Sequence, residues 1–536
     1  MGRLDLMAEA VGPFRWPELE LEIPTTSPLA VGVPAYDTWP ALGRANRLAL
    51  DAATVEVGGI PLGELRRTAR PEALALAAAY TRGLGLEVPD HGSAQVLCTG
   101  HQPVLAHPGI WIKYLALARM VPPDGVGLDL IVDTDAVEEI AAEVPRADGL
   151  LRRERIVLSR AGPDVPAEVL PAPDPEQWRA FLGAIDACLQ TAGGPALAMG
   201  WSRARLLPVP PSGLGLAGAV TAARRALEGP RPYLDLPVSW LARTGSFRRF
   251  VLSIAHHAGR FAAVHNAMLA AYRAHYGIRT GAQPFPDLAV EPGRIEIPFW
   301  LVAGGQRQAL FVGADGGRFY AGGGDVGPVP RRPDDPVFAA MGIRPRALAL
   351  TAFARLVVSD LFIHGVGGGR YDRATDAVME AFYGVSPPAY ATVTATLHLP
   401  FPAAAPLQDE RQRLQRLLLD LQHNPDRFLP SGDGPHSALV AEKWALIRRL
   451  EAAADLTRRE RREATQRIRE LNLILTGAVA DHLGEAQEAL RRHNRREQEV
   501  EATGYRGYPF LLFPVEAVEE LVDQLSDGAQ GRGVRG

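Results

Sequence analysis

The sequence predicts an α/β fold followed by a long helical segment, and three observations support this prediction. Residues 94–120, AQVLCTGHQPVLAHPGIWIKYLALARM, run from a short apolar strand through a polar loop into a helix that opens at Pro108. The first half of residues 128–140, LDLIVDTDAVEEI, is a nearly continuous apolar run, typical of a parallel strand buried on both faces. Together the two stretches form a βαβ unit. From about 436 to 501 the chain is almost entirely helix-forming.

The segment before this unit has weaker signals. Residues 1 to about 47 are rich in proline, and we predict irregular structure there. Pro71 to Arg82 is predicted to be a helix, because proline suits the first helical position and Gly83 is a plausible stop.

The polar loop between the first strand and its helix has the composition of an anion site. The first helical N–H groups have no internal partner, and the helix dipole is positive at that end. Lys113, one turn inside the helix, can reach back, and Lys113 and Lys443 are the chain's two lysines against 55 arginines. The alternative is a surface helix with a solvated lysine. Side-chain donors in the loop are Thr99, His101, Gln102 and His107.

The second strand brings an acidic pair to the same sheet edge. Carboxyl ends of parallel strands meet there, so Asp133, Thr134 and Asp135 should lie near the polar loop. An apolar strand followed by Asp-Thr-Asp is also how glycosyltransferases present a metal ion to a sugar-nucleotide diphosphate. Both interpretations stay open at this point.

The middle of the chain is less informative. Residues 160–240 contain helical pieces that we cannot order, and 294–300 and 308–312 are predicted strands. Ser246 to Arg273 is predicted to be one long helix. His257 and His265 lie two turns apart on it, whereas metal-binding pairs on a helix usually lie four residues apart, so helix packing is favoured over zinc binding.

A second candidate ligand segment lies at 347–383. An apolar run, ALALTAFARLVVSDLFIHG, is predicted to be helical and ends in a glycine-rich stretch from Gly365 to Asp372. The glycines would let the backbone approach a ligand closely, and another helix is predicted from Thr375. The alternative is a flexible turn between two helices.

The C-terminal part is predicted to be a long helix or an antiparallel helix pair of coiled-coil type. Apolar residues recur at 440, 444, 447, 450 and 454, and resume at 468, 471 and 475. Between them, RRERREATQR is a solvated charge run. The predicted domains are an irregular and helical segment (1–90), the α/β core with insertions (91–430), the helical arm (431–502), and an aromatic segment with a disordered tail (503–536).

Composition excludes several protein classes. The net charge of −4 does not suggest a nucleic-acid binder, and no apolar run is long enough to span a membrane. The two cysteines, Cys98 and Cys188, are too few for a disulfide framework. We therefore expect a cytoplasmic protein that acts on a small molecule, without nucleic-acid or membrane partners.

The chain resembles the bacillithiol biosynthesis cysteine-adding enzymes, a family of cysteine ligases. TGHQPVLAHPGIWIKYLALARM is similar to their TGQQ-type motif with a lysine on the following helix, and LIVDTDAVEEI to their next strand. GVGGGRYD is similar to their later glycine-rich loop, and the late helical segment to their coiled coil. Two departures stand out: His101 replaces the first Gln of TGQQ, and the Asp133–Ala136 stretch lacks the family's His and last Asp.

This resemblance implies a Rossmann-like core with inserted segments, a coiled-coil arm and a homodimer formed through that arm. It implies a ligase-like reaction that joins cysteine to an amino-sugar conjugate, with ATP or ADP and Mg²⁺ as candidate cofactors. Expected catalytic residues are Asp133, Asp135 and His101, with Glu139 near them. Expected cofactor-binding residues are Thr99, Gly100, Gln102, His107, Lys113, Gly367, Gly368 and Asp372.

Three hypotheses for function follow. In the first, a ligase-like enzyme holds a phosphate on Lys113 and on His101 or His107, and Asp133 or Asp135 holds a substrate amine or Mg²⁺. In the second, the acidic pair serves a metal-dependent glycosyltransferase. In the third, the protein is a non-catalytic coiled-coil scaffold with a relic α/β body.

Overall fold

A computed structural model describes residues 14–16, 22–193, 195–402, 410–430, 434–452 and 456–531. These residues fall into two compact units. The first lies within Met1–Val144, Glu154–Pro400 and Arg506–Gly536, and the second within Pro145–Arg153 and Phe401–Tyr505.

The strands are numbered in chain order. They are β1 (Leu29–Val33), β2 (Glu56–Val57), β3 (Ile60–Pro61), β4 (Val96–His101), β5 (Val126–Ile131), β6 (Glu139–Ala147), β7 (Leu151–Arg160), β8 (Tyr233–Pro237), β9 (Val290–Glu291), β10 (Arg294–Ala303), β11 (Gln306–Gly313), β12 (Arg318–Ala321), β13 (Gly324–Pro328), β14 (Ile343–Pro345), β15 (Leu361–His364) and β16 (Ala391–Thr396).

The helices are numbered in the same way. They are α1 (Trp39–Asp51), α2 (Leu62–Gly83), α3 (Pro108–Met120), α4 (Pro175–Ala192), α5 (Pro195–Ala204), α6 (Gly215–Glu228), α7 (Val238–Leu241), α8 (Gly245–Ala255), α9 (Ala258–His275), α10 (Pro336–Ala340), α11 (Ala347–Phe353), α12 (Val366–Tyr383), α13 (Arg411–His423), α14 (Ser437–Ala452), α15 (Arg458–Ala478), α16 (Ala480–Thr503) and α17 (Val515–Gly531).

The predicted α/β class is confirmed, because the first unit is built around a mainly parallel sheet. Its strand order is β1-β16-β15-β4-β5-β8, and only the edge pair β1 and β16 is antiparallel. The chain starts the parallel sheet at β4, adds β5 and β8 on one side, and adds β15 and β16 on the other. The strand order therefore reverses between β4 and β15. Helices α3 and α12 are the crossovers that follow these two strands.

The insertion between β8 and β15 carries a second, antiparallel sheet. Its order is β13-β12-β11-β10-β14, with β9 also paired to β10. Its buried residues Ile297, Phe299 and Leu310 belong to the same hydrophobic core as β4 and β5. The insertion therefore packs onto the main sheet within one unit.

The N-terminal segment is more regular than we expected. Strand β1 and helix α1 lie at least partly within the stretch predicted to be irregular. Helix α2 starts at Leu62 rather than at Pro71, which lies inside it. The buried residues Leu65 and Ala69 extend its apolar face towards the N-terminus, and this packing outweighs the hydrogen bond that Pro71 cannot donate.

The segment 347–383 also differs from the prediction. The apolar run is divided between α11, a π-helical turn at Ala354–Val358 and the sheet strand β15. A buried apolar run has no alternation that separates strand from helix, so periodicity could not detect β15. The glycine-rich stretch is no free loop, because Val366 to Tyr383 form one continuous helix.

Two further boundaries differ. The helix predicted from Ser246 to Arg273 is broken at His256 and His257, between α8 and α9. Strand β5 ends at Ile131, so Asp133 and Asp135 lie in the loop beyond it.

The second unit is helical. Helix α13 packs against α16, and α14 packs against α15. Leu421, Leu471 and Leu475 are fully buried, and Thr457 and Glu460 form a capping box at the start of α15. Of the predicted pattern, Ala454 lies outside the described residues, as do residues 532–536 of the predicted tail, whereas Ser526 to Gly531 belong to α17. Within the described ranges, no helix combines the length and apolarity needed to cross a bilayer.

Candidate active site

A cavity of about 340 Å³ lies at the carboxyl ends of β4 and β15, where the strand order reverses. We call it the sheet-edge cavity. The first residues of α3 and α12 form part of its wall. Open α/β sheets bind ligands at this position, because the two crossover helices diverge there and leave a crevice. Its apolar wall includes Ile110, Leu130, Val132, Leu350 and Phe362.

The cavity brings together most of the residues singled out from the sequence. The predicted residues that line it are Gly100, His101, Gln102, His107, Lys113, Asp135, Gly367 and Gly368. Thr99, Asp133 and Asp372 do not line it. Glu139 lies on β6 and pairs with Arg155 and Arg160.

Lys113 is a buried cation that lines the cavity. Its side chain is only 2% exposed, and its Nζ donates a hydrogen bond to the Gly100 carbonyl oxygen at 2.6 Å. Burial lowers the pKa of Lys113 to about 8, while the nearby Asp129 acts to raise it. The alternative of a solvated surface lysine therefore does not hold. An ammonium that keeps one backbone acceptor still has two donors for an anion.

The two helix N-termini add positive potential. His107 is the N-cap of α3, and its Nδ1 accepts a hydrogen bond from the Gly109 N–H at 3.0 Å. Burial, together with Arg506 and Lys113, lowers the pKa of His107 to about 4, so the ring is neutral at pH 7. The N-cap of α12 is Gly365, which has no side chain to occupy the first N–H groups of that helix. These groups and the helix dipole favour an anion.

Arg506 supplies a second cation, which the sequence analysis did not single out. Its Nη2 donates to the Ala395 carbonyl oxygen at 2.9 Å and to Thr394 Oγ1 at 3.3 Å. The residue lines the cavity although it follows β16 by more than a hundred positions. It lies in the segment predicted only as aromatic and apolar, so no local pattern marked it.

His364, at the end of β15, is held by a buried chain of contacts from Arg355 through Asp372 to its imidazole. We call this chain of contacts the relay. Its Nε2 lies 2.8 Å from Asp372 Oδ2, and Arg355 Nη1 lies 2.6 Å from the same oxygen. Burial would raise the pKa of Asp372, but Arg355 and His364 outweigh it and hold that pKa well below its usual range. A carboxylate at Nε2 fixes the tautomer with the proton on Nε2, which leaves Nδ1 of the neutral ring as an acceptor. His364 lines the cavity, whereas Asp372 lies behind it.

Asp135 is the carboxylate among the cavity-lining residues. Its Oδ2 accepts a hydrogen bond from Gln102 Nε2 at 2.9 Å, and its Oδ1 lies 3.5 Å from Arg307 Nη1. The carboxylate is about one-third exposed, so it remains accessible to a ligand. His101, the last residue of β4, also lines the cavity, and burial lowers its pKa to about 3.

Asp133 and Thr99 have structural contacts instead. Asp133 accepts hydrogen bonds from the Ser239 backbone N–H at 2.9 Å and from Ser239 Oγ at 2.5 Å. Burial raises the pKa of Asp133 to about 7. Thr99 Oγ1 donates to the Ile363 carbonyl oxygen at 2.8 Å, which ties β4 to β15. Asp133 is therefore directed into the interior, whereas Asp135, two residues later in the same loop, lines the cavity. Residue spacing alone could not show which of the two carboxylates reaches the cavity.

Glycines in the cavity wall permit close approaches. A Cβ on Gly100 would lie 2.8 Å from the Leu130 carbonyl oxygen, and one on Gly368 would lie 2.7 Å from His364 Nδ1. The first turn of α12 therefore packs against the imidazole without an intervening side chain. This contact positions His364 and explains a glycine at 368.

The arrangement combines an anion-binding end with an acid–base group. Lys113, Arg506 and two helix N-termini face the cavity, and His364 and Asp135 lie on its wall. Comparison of the chain with models of known protein families and with curated proteins gives no match. The inference of function therefore depends on the site itself.

Proposed function

We propose that this chain is a ligase-like enzyme that binds a nucleotide or another phosphate-bearing molecule and joins an amino acid to an amino-sugar conjugate. In the resembled family the amino acid is cysteine. One observation carries the proposal: Lys113, Arg506 and the N-termini of α3 and α12 converge on one cavity beside His364. The proposal includes a Rossmann-like core, which the reversal of strand order between β4 and β15 supports.

The phosphate would be held at the α12 end of the cavity. The free N–H groups after Gly365 are hydrogen-bond donors, and Lys113 and Arg506 neutralise the charge. These donors fit a phosphate, since the cavity offers anions more donors than acceptors. A Mg²⁺ ion bound with a nucleotide would have Asp135 as its protein carboxylate, because Asp133 is engaged by Ser239.

Amide formation requires the amine to lose a proton while its nitrogen bonds to the acyl carbon and the leaving group departs with an electron pair. His364 would accept that proton on Nδ1, because its Nε2–H donates a hydrogen bond to Asp372. Asp135 would accept a hydrogen bond from the neutral amine before reaction, since its carboxylate lines the cavity and is about one-third exposed. Both roles use residues of this chain alone.

The glycosyltransferase alternative needs two carboxylates on one metal ion. Only Asp135 of the acidic pair lines the cavity, and the Asp133 carboxylate is directed at Ser239. The geometry gives this alternative no support. The scaffold alternative does not account for a buried lysine and a relay-held histidine on one cavity wall.

We also propose that the helical unit is a coiled-coil arm through which two copies of the chain pair. Its described surface exposes the large apolar side chains Leu419 (55%), Leu473 (77%) and Ile474 (49%). Leu473 and Ile474 are adjacent in the chain, and neighbouring exposed apolar side chains favour contact with another apolar surface.

Lys113→Met is expected to weaken ADP and pyrophosphate binding roughly tenfold to a hundredfold, because it removes one charged donor and keeps the aliphatic stem. Calorimetric titration of the purified protein with each ligand measures the change. Wild-type affinity should also fall as the pH rises above about 8, since the Lys113 ammonium deprotonates there. Unchanged affinity in Lys113→Met would refute the phosphate site.

Lys443→Met is the matched control. Lys443 is as buried as Lys113, but it pairs with Asp426 in the other compact unit. It therefore reports any general effect of losing a buried lysine. We expect its ligand affinity to equal that of the wild type.

A further inference from the structure

A second cavity, of about 610 Å³, lies within the first unit and has no place in the proposed reaction. The break between α8 and α9, the β2–β3 hairpin and the C-terminal end of α12 form its walls. We call it the arginine cavity. Its lining includes Arg249, Arg260, Arg331, His256 and His257.

The positive charge of this cavity is not balanced by its lining. Arg249, Arg260 and Arg331 contribute three guanidinium groups, whereas Glu56 contributes one carboxylate. Arg249 Nη1 donates to the Gly58 carbonyl oxygen at 3.0 Å, and Arg260 Nη2 to the Phe382 carbonyl oxygen at 2.8 Å. Across the described ranges, none of the three forms an ion pair with a carboxylate. Guanidinium donors are thus left for a ligand.

The three arginines are accessible to a ligand. Arg260 and Arg331 are exposed, and Arg249 is half-buried. A planar guanidinium matches phosphate oxygens in a two-pronged geometry.

Three helix termini lie at the arginine cavity, namely the start of α9 and the ends of α8 and α12. The negative dipole ends of α8 and α12 oppose the positive end of α9, so the anion preference depends on the arginine side chains. His256 and His257 supply further side-chain donors.

We propose that the arginine cavity is a second binding site, which takes a phosphorylated small molecule. The phosphate contacts Arg249, Arg260 and Arg331, and Glu56 accepts a hydrogen bond from a hydroxyl or amino group of the same molecule. The site is separate from the sheet-edge cavity. Helix α12 contributes its first residues to one cavity and its last residues to the other, and 18 helical residues span roughly 27 Å.

Titration of the full chain with pyrophosphate tests this proposal. The wild type is expected to bind pyrophosphate at two sites, and Arg331→Gln is expected to weaken one of them roughly tenfold, by loss of a charge-assisted hydrogen bond. Arg332→Gln is the matched control, since it removes the same charge one residue away. Arg332 is 78% exposed, pairs with Asp334 and does not line the cavity.

The outcomes separate this site from the proposed active site. Lys113→Met should weaken pyrophosphate binding only at the sheet-edge cavity, and Arg331→Gln should weaken it only at the arginine cavity. Binding at a single site that Lys113→Met removes, or equal losses in Arg331→Gln and Arg332→Gln, would overturn the arginine site and leave the sheet-edge site standing. Absence of pyrophosphate binding to the wild type would overturn both. Both arginines are exposed, so neither substitution should impair folding.

Discussion

Arg355→Met is expected to lower the free energy of unfolding of the first unit by about 3–5 kcal/mol, because it leaves buried carboxylates without their cation. Arg355 is fully buried and lies 2.6 Å from Asp372 Oδ2 and 2.7 Å from Asp376 Oδ1. Burial alone would lower the pKa of Arg355, but Asp376 and Asp372 outweigh it and raise that pKa. Urea denaturation followed by tryptophan fluorescence measures the shift in midpoint.

The pH dependence of this loss has a defined sign. In the wild type the pKa of Asp372 is depressed, so its contribution to stability is present above the ordinary aspartate pKa and is lost as the pH falls through the depressed value. In Arg355→Met that pKa should rise, and protonation then relieves the buried charge. The deficit should therefore be largest near pH 7 and shrink towards pH 4.

Arg332→Met is the control for this experiment, because Arg332 forms an exposed pair with Asp334. An exposed pair contributes little, so its effect should stay within about 0.5 kcal/mol. The double variant Arg355→Met/Asp372→Asn should recover part of the loss, since one uncompensated carboxylate is removed. Equal effects of Arg355→Met and Arg332→Met would contradict the relay.

The strand–loop–helix unit around Lys113 could be predicted because its signals are local. Pro108 opens α3, and the apolar runs of β4 and β5 are short and bounded by breakers. Local signals did not predict β15, because this buried apolar run lies between two helical stretches and shows no alternation of apolar and polar residues. Sheet pairing with β4 decides that segment, and such a contact joins residues more than 250 positions apart.

The site could be predicted in part for the same reason. Residues near the loop after β4 are close in sequence, so Gly100, His101 and Gln102 share one cavity wall. His364 reaches that wall through the pairing of β15 with β4, and Arg506 through its hydrogen bonds to Thr394 and Ala395 on β16. Asp133 is buried and Asp135 lines the cavity because Ser239 binds the Asp133 carboxylate. No local sequence pattern specifies the position of Ser239. Local chemistry was therefore predictable, and the supporting contacts were not.

If the chain catalyses the amide formation proposed above, His364→Gln is expected to lower its kcat by roughly 10²–10⁴-fold, the usual contribution of a positioned general base. Glutamine fills a similar volume but cannot take up the proton. Burial lowers the pKa of His364 although Asp372 opposes this effect, so the base is neutral at pH 7. In the pH profile of kcat/KM, the midpoint of the acid limb should lie below the ordinary histidine pKa of about 6.5. The His364→Gln variant should lack this limb. A pH–rate profile with cysteine and the amino-sugar conjugate measures both effects.

The Asp372→Asn variant distinguishes a role of Asp372 in positioning His364 from a general structural role in the site. The asparagine amide can donate to Nε2 and so favours the tautomer that has its proton on Nδ1, where it blocks proton uptake. It also removes the carboxylate that raises the pKa of His364, so the acid limb should move to lower pH while kcat falls. The KM for a phosphate-bearing substrate should change little, because Asp372 does not line the cavity. A fall in affinity with an unmoved pH profile would instead assign Asp372 and His364 a structural role, and the proton acceptor would have to be sought at Asp135.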